Sequence, residues 1–137
     1  MTPAHIDDRE LLAGLADGSL PAARFDHENH VRVAWLCLRD ADGRAAGEAR
    51  FCNLLRTYVA GLGASDKYHH TLSVALLRLI DARRRVRPEL DWPAFAALHR
   101  ELFVDARGLL ARHYSAARLN SAAARREFVD ADGEPLP

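Results

Sequence analysis

The chain has 137 residues, of which 49% are hydrophobic and 28% charged, and its 19 basic and 19 acidic residues give a formal net charge of zero. This composition argues against a disordered protein, and the lack of an apolar run of about 18 residues argues against a membrane-spanning helix. Zero net charge argues against a general nucleic-acid binder, whose affinity comes from neutralising phosphates. We expect one domain with neither nucleic acid nor membrane as its partner.

The start of the chain and its cysteines indicate the cellular compartment. Residues 1–10 lack the basic flank and apolar run of a signal peptide. The two cysteines, Cys37 and Cys52, are then expected to be buried, reduced thiols. These features predict a cytoplasmic protein.

The hydrophobic pattern is helical almost throughout, and no segment shows the alternation of a strand. The predicted helices cover residues 7–16, 27–39, 44–60, 69 or 70 to 84, 92–104, 106–114 and 121–128. Asp26, Asp91 and Ser121 are the expected N-caps, because their side-chain oxygens accept from free backbone amides. The prediction is an all-α fold: a compact single-domain helical bundle of about five to seven helices. The helical domain is expected at residues 1–129, with an irregular tail at 130–137.

Two histidines open the second predicted helix. His27 and His30 are three residues apart, so their side chains share one face with Cβ atoms about 5–6 Å apart. The same face continues through apolar residues to Leu38, which indicates that both imidazoles point inward. The helix dipole disfavours protonated imidazole in the first turn, and neutral imidazole is the form that binds metal. The spacing therefore predicts two metal ligands.

A third ligand is expected at the start of the fourth predicted helix. His69 heads the inner face of that helix and is the preferred ligand, while His70 heads a more exposed face and is held in reserve. Three protein nitrogens and an open position are typical of catalytic zinc sites. They also suit copper or iron(II), and spacing alone does not choose among these divalent transition metals.

Other polar residues are assigned supporting roles. Tyr68, Thr71 and Arg32 are expected to orient a substrate, although Arg32 is also compatible with an ordinary surface arginine. His99 and His113 lie on apolar stripes, where a structural role is favoured over their use as further reserve ligands.

A structural interpretation of the main histidines stays open. His27 and His30 would then bond to backbone carbonyls at the edge of the core, and His69 would lie beside a helix cap. Because three imidazoles are expected to converge, the metal site is slightly favoured over this structural alternative.

One basic cluster follows the fourth predicted helix. It contains Arg83, Arg84, Arg85 and Arg87. Cations are favourable near the C-terminal end of a helix dipole, so a solvated helix end is the favoured interpretation. A phosphate-binding or acidic-partner patch is the alternative.

Two segments resemble a family of small uncharacterised bacterial proteins. One is the aromatic-x-His-x-x-His segment from Phe25 to His30, and the other is the Tyr-His-x-Thr segment from Tyr68 to Thr71. The resemblance covers nearly the whole chain and implies a helical domain with the same three histidines at its site, but no activity. Similar proteins often carry Glu where this chain has His70, which puts the role of that position in doubt.

Three functions remain under consideration. The first is a metal-dependent enzyme that acts on a small molecule through the histidine site. The second is a metal or ligand sensor or carrier without turnover. The third is an interaction protein whose histidines are structural and whose arginine-rich faces bind a partner.

Overall fold

The computed structural model describes residues 6–137, so the first five residues of the predicted domain lie outside it. The α-helices of the described residues are α1 (Asp8–Asp17), α2 (His27–Asp40), α3 (Arg44–Gly61), α4 (His70–Val86), α5 (Trp92–Leu98), α6 (Glu101–Val104), α7 (Ala106–Ala111), α8 (Ala116–Leu119) and α9 (Ala122–Arg126). Short 3₁₀ turns lie at Ala22–Arg24 and Ser65–Lys67. The all-α prediction is confirmed, and five of the nine helices described have seven residues or more. None of the helices in residues 6–137 combines the length and apolarity needed to cross a bilayer.

Helix α2 is the central element of the bundle. It packs against α1, α3, α4 and α6, so it has neighbours on every side. Every residue from Val31 to Leu38 is consequently buried, including Arg32. The sequence pattern predicts a helix with one buried face, whereas the middle of α2 is buried on all sides. This central position places His30 at the edge of the core, whereas His27 is exposed, which differs from the predicted inward orientation of both imidazoles.

The predicted helix starts are confirmed at the N-caps. Asp26 Oδ1 accepts from the amide of Asn29 at 2.9 Å, and Asp91 Oδ1 accepts from the amide of Ala94 at 3.0 Å. Ser121 caps α9 in the same way. A cap of this type stabilises a helix by about 1 kcal/mol, which explains why short helices persist in this chain.

The second half of the chain is more broken than predicted. The expected helix at residues 92–104 divides into α5 and α6, because the backbone leaves helical geometry at His99. The break turns Leu102 fully into the core and aims its carbonyl oxygen at His27. The expected last helix ends at Arg126, because Glu127 is extended and its carbonyl accepts from Thr71. Tertiary hydrogen bonds thus replace helical ones at both places.

The C-terminal tail has no helix in residues 130–137, but it is anchored. The amides of Gly133 and Glu134 donate to the carbonyl oxygens of His113 and Arg112 at 2.8 and 2.9 Å. Leu136 packs against the hydrophobic core. The tail therefore covers part of the bundle.

Candidate functional site

His27 and His30 lie side by side at the start of α2, as the sequence predicts. Their ring centroids are 6.5 Å apart in an edge-on arrangement. His27 Nε2 donates to the carbonyl oxygen of Leu102 at 2.8 Å. In neutral imidazole this leaves the Nδ1 lone pair of His27 uncommitted. A hydrogen bond of this kind also holds the ring in one orientation, as it does for many metal-bound histidines.

His30 is enclosed more deeply than His27. Its ring lies between Phe25 and Phe51, with centroids 5.3 and 5.6 Å away. Burial, with a smaller contribution from the charge of His27, lowers the pKa of His30 to about 4. The imidazole is therefore neutral at physiological pH. Its Nε2 is shielded from solvent and has no hydrogen-bond partner among the described residues. Such an atom costs about 1–3 kcal/mol and calls for an explanation, of which a bound ion is one.

A hollow of about 340 Å³ opens beside His27. Its walls include Phe103, Val104, Asp105 and Arg107 from α6, α7 and the residue between them. Val104 is 72% exposed, so the hollow presents an apolar wall to solvent. A small molecule seated here would touch the imidazole of His27. The sequence pattern does not point to the residues of this wall, because only the break between α5 and α6 brings them to the head of α2.

His69 has both of its ring nitrogens engaged. It is the N-cap of α4: Nδ1 accepts from the amide of Leu72 at 3.1 Å. Its Nε2 donates to the carbonyl oxygen of Leu119 on α8 at 2.7 Å. A neutral imidazole has one donor and one acceptor nitrogen, and both are used here. The preferred third ligand thus has no lone pair left for a metal, and its geometry matches the structural alternative.

Arg32 on α2 is buried and forms an ion pair with Asp8 on α1. It is 4% exposed, and its guanidinium donates to Asp8 Oδ1 from Nε at 3.2 Å and from a terminal nitrogen at 2.5 Å. Burial alone would raise the pKa of Asp8, but the hydrogen bonds and charges of Arg32 and Arg39 outweigh burial and hold that pKa below its ordinary value. The structure thus places Arg32 in neither the surface position nor the substrate-orienting position that the sequence suggests.

Tyr68 and His70 belong to a second polar cluster, with Arg56 and Cys52. The Tyr68 hydroxyl donates to His70 Nδ1 at 2.6 Å, and the Arg56 guanidinium donates to the same nitrogen at 3.1 Å. Burial, together with a hydrogen bond to Cys52, raises the pKa of Tyr68 well above its ordinary value. Burial also lowers the pKa of His70. Because His70 Nδ1 accepts two hydrogen bonds, His70 is not poised as a reserve ligand.

Thr71 connects α4 to the segment that follows α9. Its side chain is fully buried, and Oγ1 donates to the carbonyl oxygen of Glu127 at 2.7 Å. The same oxygen accepts from the amide of Val129 at 3.2 Å. These two bonds commit the hydroxyl to the backbone, so they leave it without the substrate-orienting geometry that the sequence suggests.

We expect Thr71→Val to lower the free energy of unfolding by about 1–2 kcal/mol, because valine keeps the shape but leaves two partly buried backbone groups without their partner. Urea denaturation measures this change. Hydrogen exchange of the Val129 amide supplies the local control, since that amide should lose protection in the variant. An unchanged exchange rate at Val129 would contradict the assigned bond.

The two further reserve ligands have different surroundings. His113 Nδ1 donates to the carbonyl oxygen of Glu134 at 2.8 Å, which anchors the tail. His99 packs on Phe95 with centroids 4.7 Å apart, and its Nδ1 is 3.4 Å from Glu101. Each makes the structural contact that the sequence favours for it.

The predicted ligands do not assemble into a three-residue metal site. Within residues 6–137, no three His, Cys, Asp or Glu side chains form a group that would hold an ion. The structure brings His27 and His30 together, while His69 is bonded to a different part of the fold. The seventh histidine, His5, lies outside the described residues.

Comparisons with family models, curated proteins and solved structures found no match to this chain. The family resemblance of the two histidine segments therefore stays a prediction.

The chemistry at this end of the bundle is that of two adjacent imidazoles, with His27 lining a hollow and His30 enclosed beside it. Neutral imidazole binds zinc, copper and iron(II), so His27 and His30 fit a divalent transition metal as two of its ligands. His69 does not fit as the third, because both of its nitrogens are bonded within the protein. Any further ligand would be water or a small molecule in the hollow.

Proposed function

We propose that this protein binds a divalent transition metal, which is zinc, copper or iron(II), through His27 and His30. The observation that carries the proposal is the solvent-shielded Nε2 of His30, which has no hydrogen-bond partner among the described residues and lies next to a second imidazole. A metal ion bound there would satisfy this nitrogen, with the remaining ring motion limited by Phe25 and Phe51. The proposal replaces a three-histidine site by a two-histidine site.

Two protein ligands favour an enzyme over a carrier. Catalytic zinc sites keep a position open for water or substrate, whereas closed sites are structural. A bound metal supplies Lewis acidity, a water of lowered pKa or, with copper or iron, oxygen activation. The hollow beside His27 is of a size that takes a small molecule. Arg107 at its wall is the side chain we assign to orient an anionic group of that molecule, in place of Arg32.

The second candidate is an interaction protein with structural histidines. It is favoured by one shared feature: His27, His69 and His113 each donate a hydrogen bond to a backbone carbonyl in a distant segment. Such bonds account for these three residues without a metal. They do not account for the unsatisfied nitrogen of His30.

Metal binding by matched variants tests the proposal. Protein purified without an affinity tag or chelator would be analysed for metal content and titrated with Zn²⁺, Cu²⁺ and Fe²⁺. We expect His27→Ala and His30→Ala to weaken binding at least tenfold. His69→Asn should bind as the wild type does, because asparagine keeps the N-cap of α4 and His69 is not a ligand.

Three results would overturn the two-histidine site. The first is a wild type that binds none of these metals, which would leave the structural-histidine function. The second is equal binding by the wild type and all three variants. The third is loss of metal in folded His69→Asn, which would restore the original set of three ligands. Circular dichroism confirms that each variant is folded.

We also propose that the protein works in the cytoplasm. Both cysteines are free and buried, and burial raises the pKa of the Cys37 thiol to about 11. Buried thiols that stay protonated are suited to a reducing compartment. A small molecule, rather than nucleic acid or a membrane, is the proposed partner.

A further inference from the structure

The arginine run at the end of α4 is not a uniform solvated helix end. Three of its four arginines pair with carboxylates of the chain at 2.7–2.9 Å: Arg83 with Glu101, Arg85 with Asp81 and Arg87 with Glu89. Arg84 differs, because no residue in 6–137 accepts a hydrogen bond or forms an ion pair with it, and its Nε is shielded from solvent. A half-buried guanidinium without a partner is costly, so an anion bound beside it would be stabilising.

Arg84 lines a cavity of about 320 Å³ where the end of α2, the start of α3 and the end of α4 meet. Three other arginines line the same cavity, namely Arg39, Arg44 and Arg85, together with one carboxylate, Asp81. The formal charge of these five side chains is plus three. The volume is at the lower end of the range for small-molecule sites.

Two of these positive charges are already compensated by carboxylate side chains of the protein. Arg85 pairs with Asp81, and Arg39 donates to Asp40 and Asp8 at 2.7 and 3.2 Å. Arg44 makes one long contact, from its guanidinium to the backbone oxygen of Pro137 at 3.4 Å, and Pro137 is the last residue of the sequence given. Neither Arg44 nor Arg84 pairs with a carboxylate side chain among residues 6–137, so both guanidiniums are available to an anion in the cavity.

The start of α3 adds neutral donors to the same place. Its N-cap is Gly43, which has no side chain to accept from the first amides of this 18-residue helix. Such amides are unpaired inside a helix and favour an anion in front of them. They supplement the arginines, which supply the charge.

We propose that this cavity binds a small molecule through a phosphate group, with Arg84 and Arg44 contacting the phosphate oxygens. A phosphate monoester carries about −1.5 to −2 charge at pH 7, which two guanidiniums without a carboxylate side-chain partner would balance. Guanidinium also presents paired N–H groups at the spacing of phosphate oxygens. This site shares no residue with the histidine site, so it stands independently of the proposed metal function.

Titration with pyrophosphate, followed by calorimetry and by ³¹P line broadening, tests the assignment. We expect Arg84→Gln and Arg44→Gln each to weaken pyrophosphate binding at least tenfold, and Arg84→Lys to weaken it less than Arg84→Gln. Arg126→Gln is the matched control, because it removes the same charge from an exposed arginine on α9 and should bind as the wild type does. Malonate, a dianion without phosphorus, should bind at least tenfold more weakly than pyrophosphate.

Several outcomes would overturn the proposal. A wild type that does not bind pyrophosphate removes the site. If Arg126→Gln weakens pyrophosphate binding as much as Arg84→Gln does, the attraction is general and not specific to the cavity. If folded Arg84→Gln binds pyrophosphate as the wild type does, Arg84 is not part of the site. Equal binding of malonate rejects phosphate as the recognised group. The metal titrations of the histidine variants are independent of these results, because the two sites share no residue.

Discussion

Between pH 7 and pH 4, the metal-free protein is expected to lose about 3 kcal/mol of its free energy of unfolding through His30 alone. Burial lowers the pKa of this imidazole from 6.5 to about 4 in the folded protein. Below pH 6.5 the unfolded chain therefore takes up a proton at His30 that the folded protein refuses until pH 4. Stability falls across this window because the unfolded state binds more protons. Each pH unit between the two pKa values contributes about 1.4 kcal/mol.

Urea denaturation at a series of pH values, with a chelator present, measures this loss. His30→Phe should reduce the slope between pH 6.5 and pH 4 by about 1.4 kcal/mol per pH unit, because phenylalanine fits between two phenylalanine rings and does not titrate. His30→Gln is the second variant, in case the larger ring perturbs packing. Parallel wild-type and variant curves over this window would refute the assigned burial of His30.

Asp8 provides a control for the His30 prediction, because its carboxyl group titrates in a lower pH range. Its pKa lies below the ordinary value of 3.8, since its bonds to Arg32 and Arg39 outweigh the effect of burial. Its stabilising contribution is complete above pH 3.8 and is lost only as pH falls through the lower folded pKa. Asp8→Asn should thus leave the slope between pH 6.5 and pH 4 unchanged. A reduced slope in this variant would mean that the loss does not belong to His30.

His69→Ala is expected to lower the free energy of unfolding by about 2 kcal/mol. About 1 kcal/mol comes from the lost N-cap of α4, where Nδ1 accepts from Leu72. A similar amount comes from the lost bond between Nε2 and Leu119, which also leaves a carbonyl oxygen unsatisfied. Chemical denaturation at pH 7 measures the sum.

His69→Asn separates the two contributions. Asparagine is a strong N-cap but is too short to reach Leu119, so this variant should recover about half of the loss. Hydrogen exchange at the Leu72 amide should be faster in the alanine variant only. If alanine costs less than about 1 kcal/mol, or if both variants are equally destabilised, His69 does not make both of these bonds.

The helices could be predicted because their determinants are local. Asp26 and Asp91 cap their helices through amides three residues away, and the apolar spacing of α2 and α4 repeats within a few turns. The break at His99 could not be predicted in this way. It is stabilised by burial of Leu102 and by a bond from its carbonyl to His27, which lies 75 residues earlier.

In the candidate site too, some features follow from local sequence and others depend on tertiary packing. The pairing of His27 with His30 follows from their spacing of three residues on one helix. The position of His69 relative to them does not, because it depends on how α4 meets α8. The sequence pattern places Arg32 at a surface or a pocket rim, since the packing of α2 against α1 on that side has no local signal.

The sequence by itself determined the all-α class, the caps of α2, α5 and α9, and the histidine pair at the head of α2, because caps and helical periodicity act over a few residues. Only the tertiary structure decided which polar atoms are satisfied. It bonded both nitrogens of His69 to the backbone, and it left His30 Nε2 and Arg84 without partners in the part of the chain that is described. The physical reason is that hydrogen bonding and burial of a side chain depend on segments far away in sequence, whose approach is set by packing of the whole core.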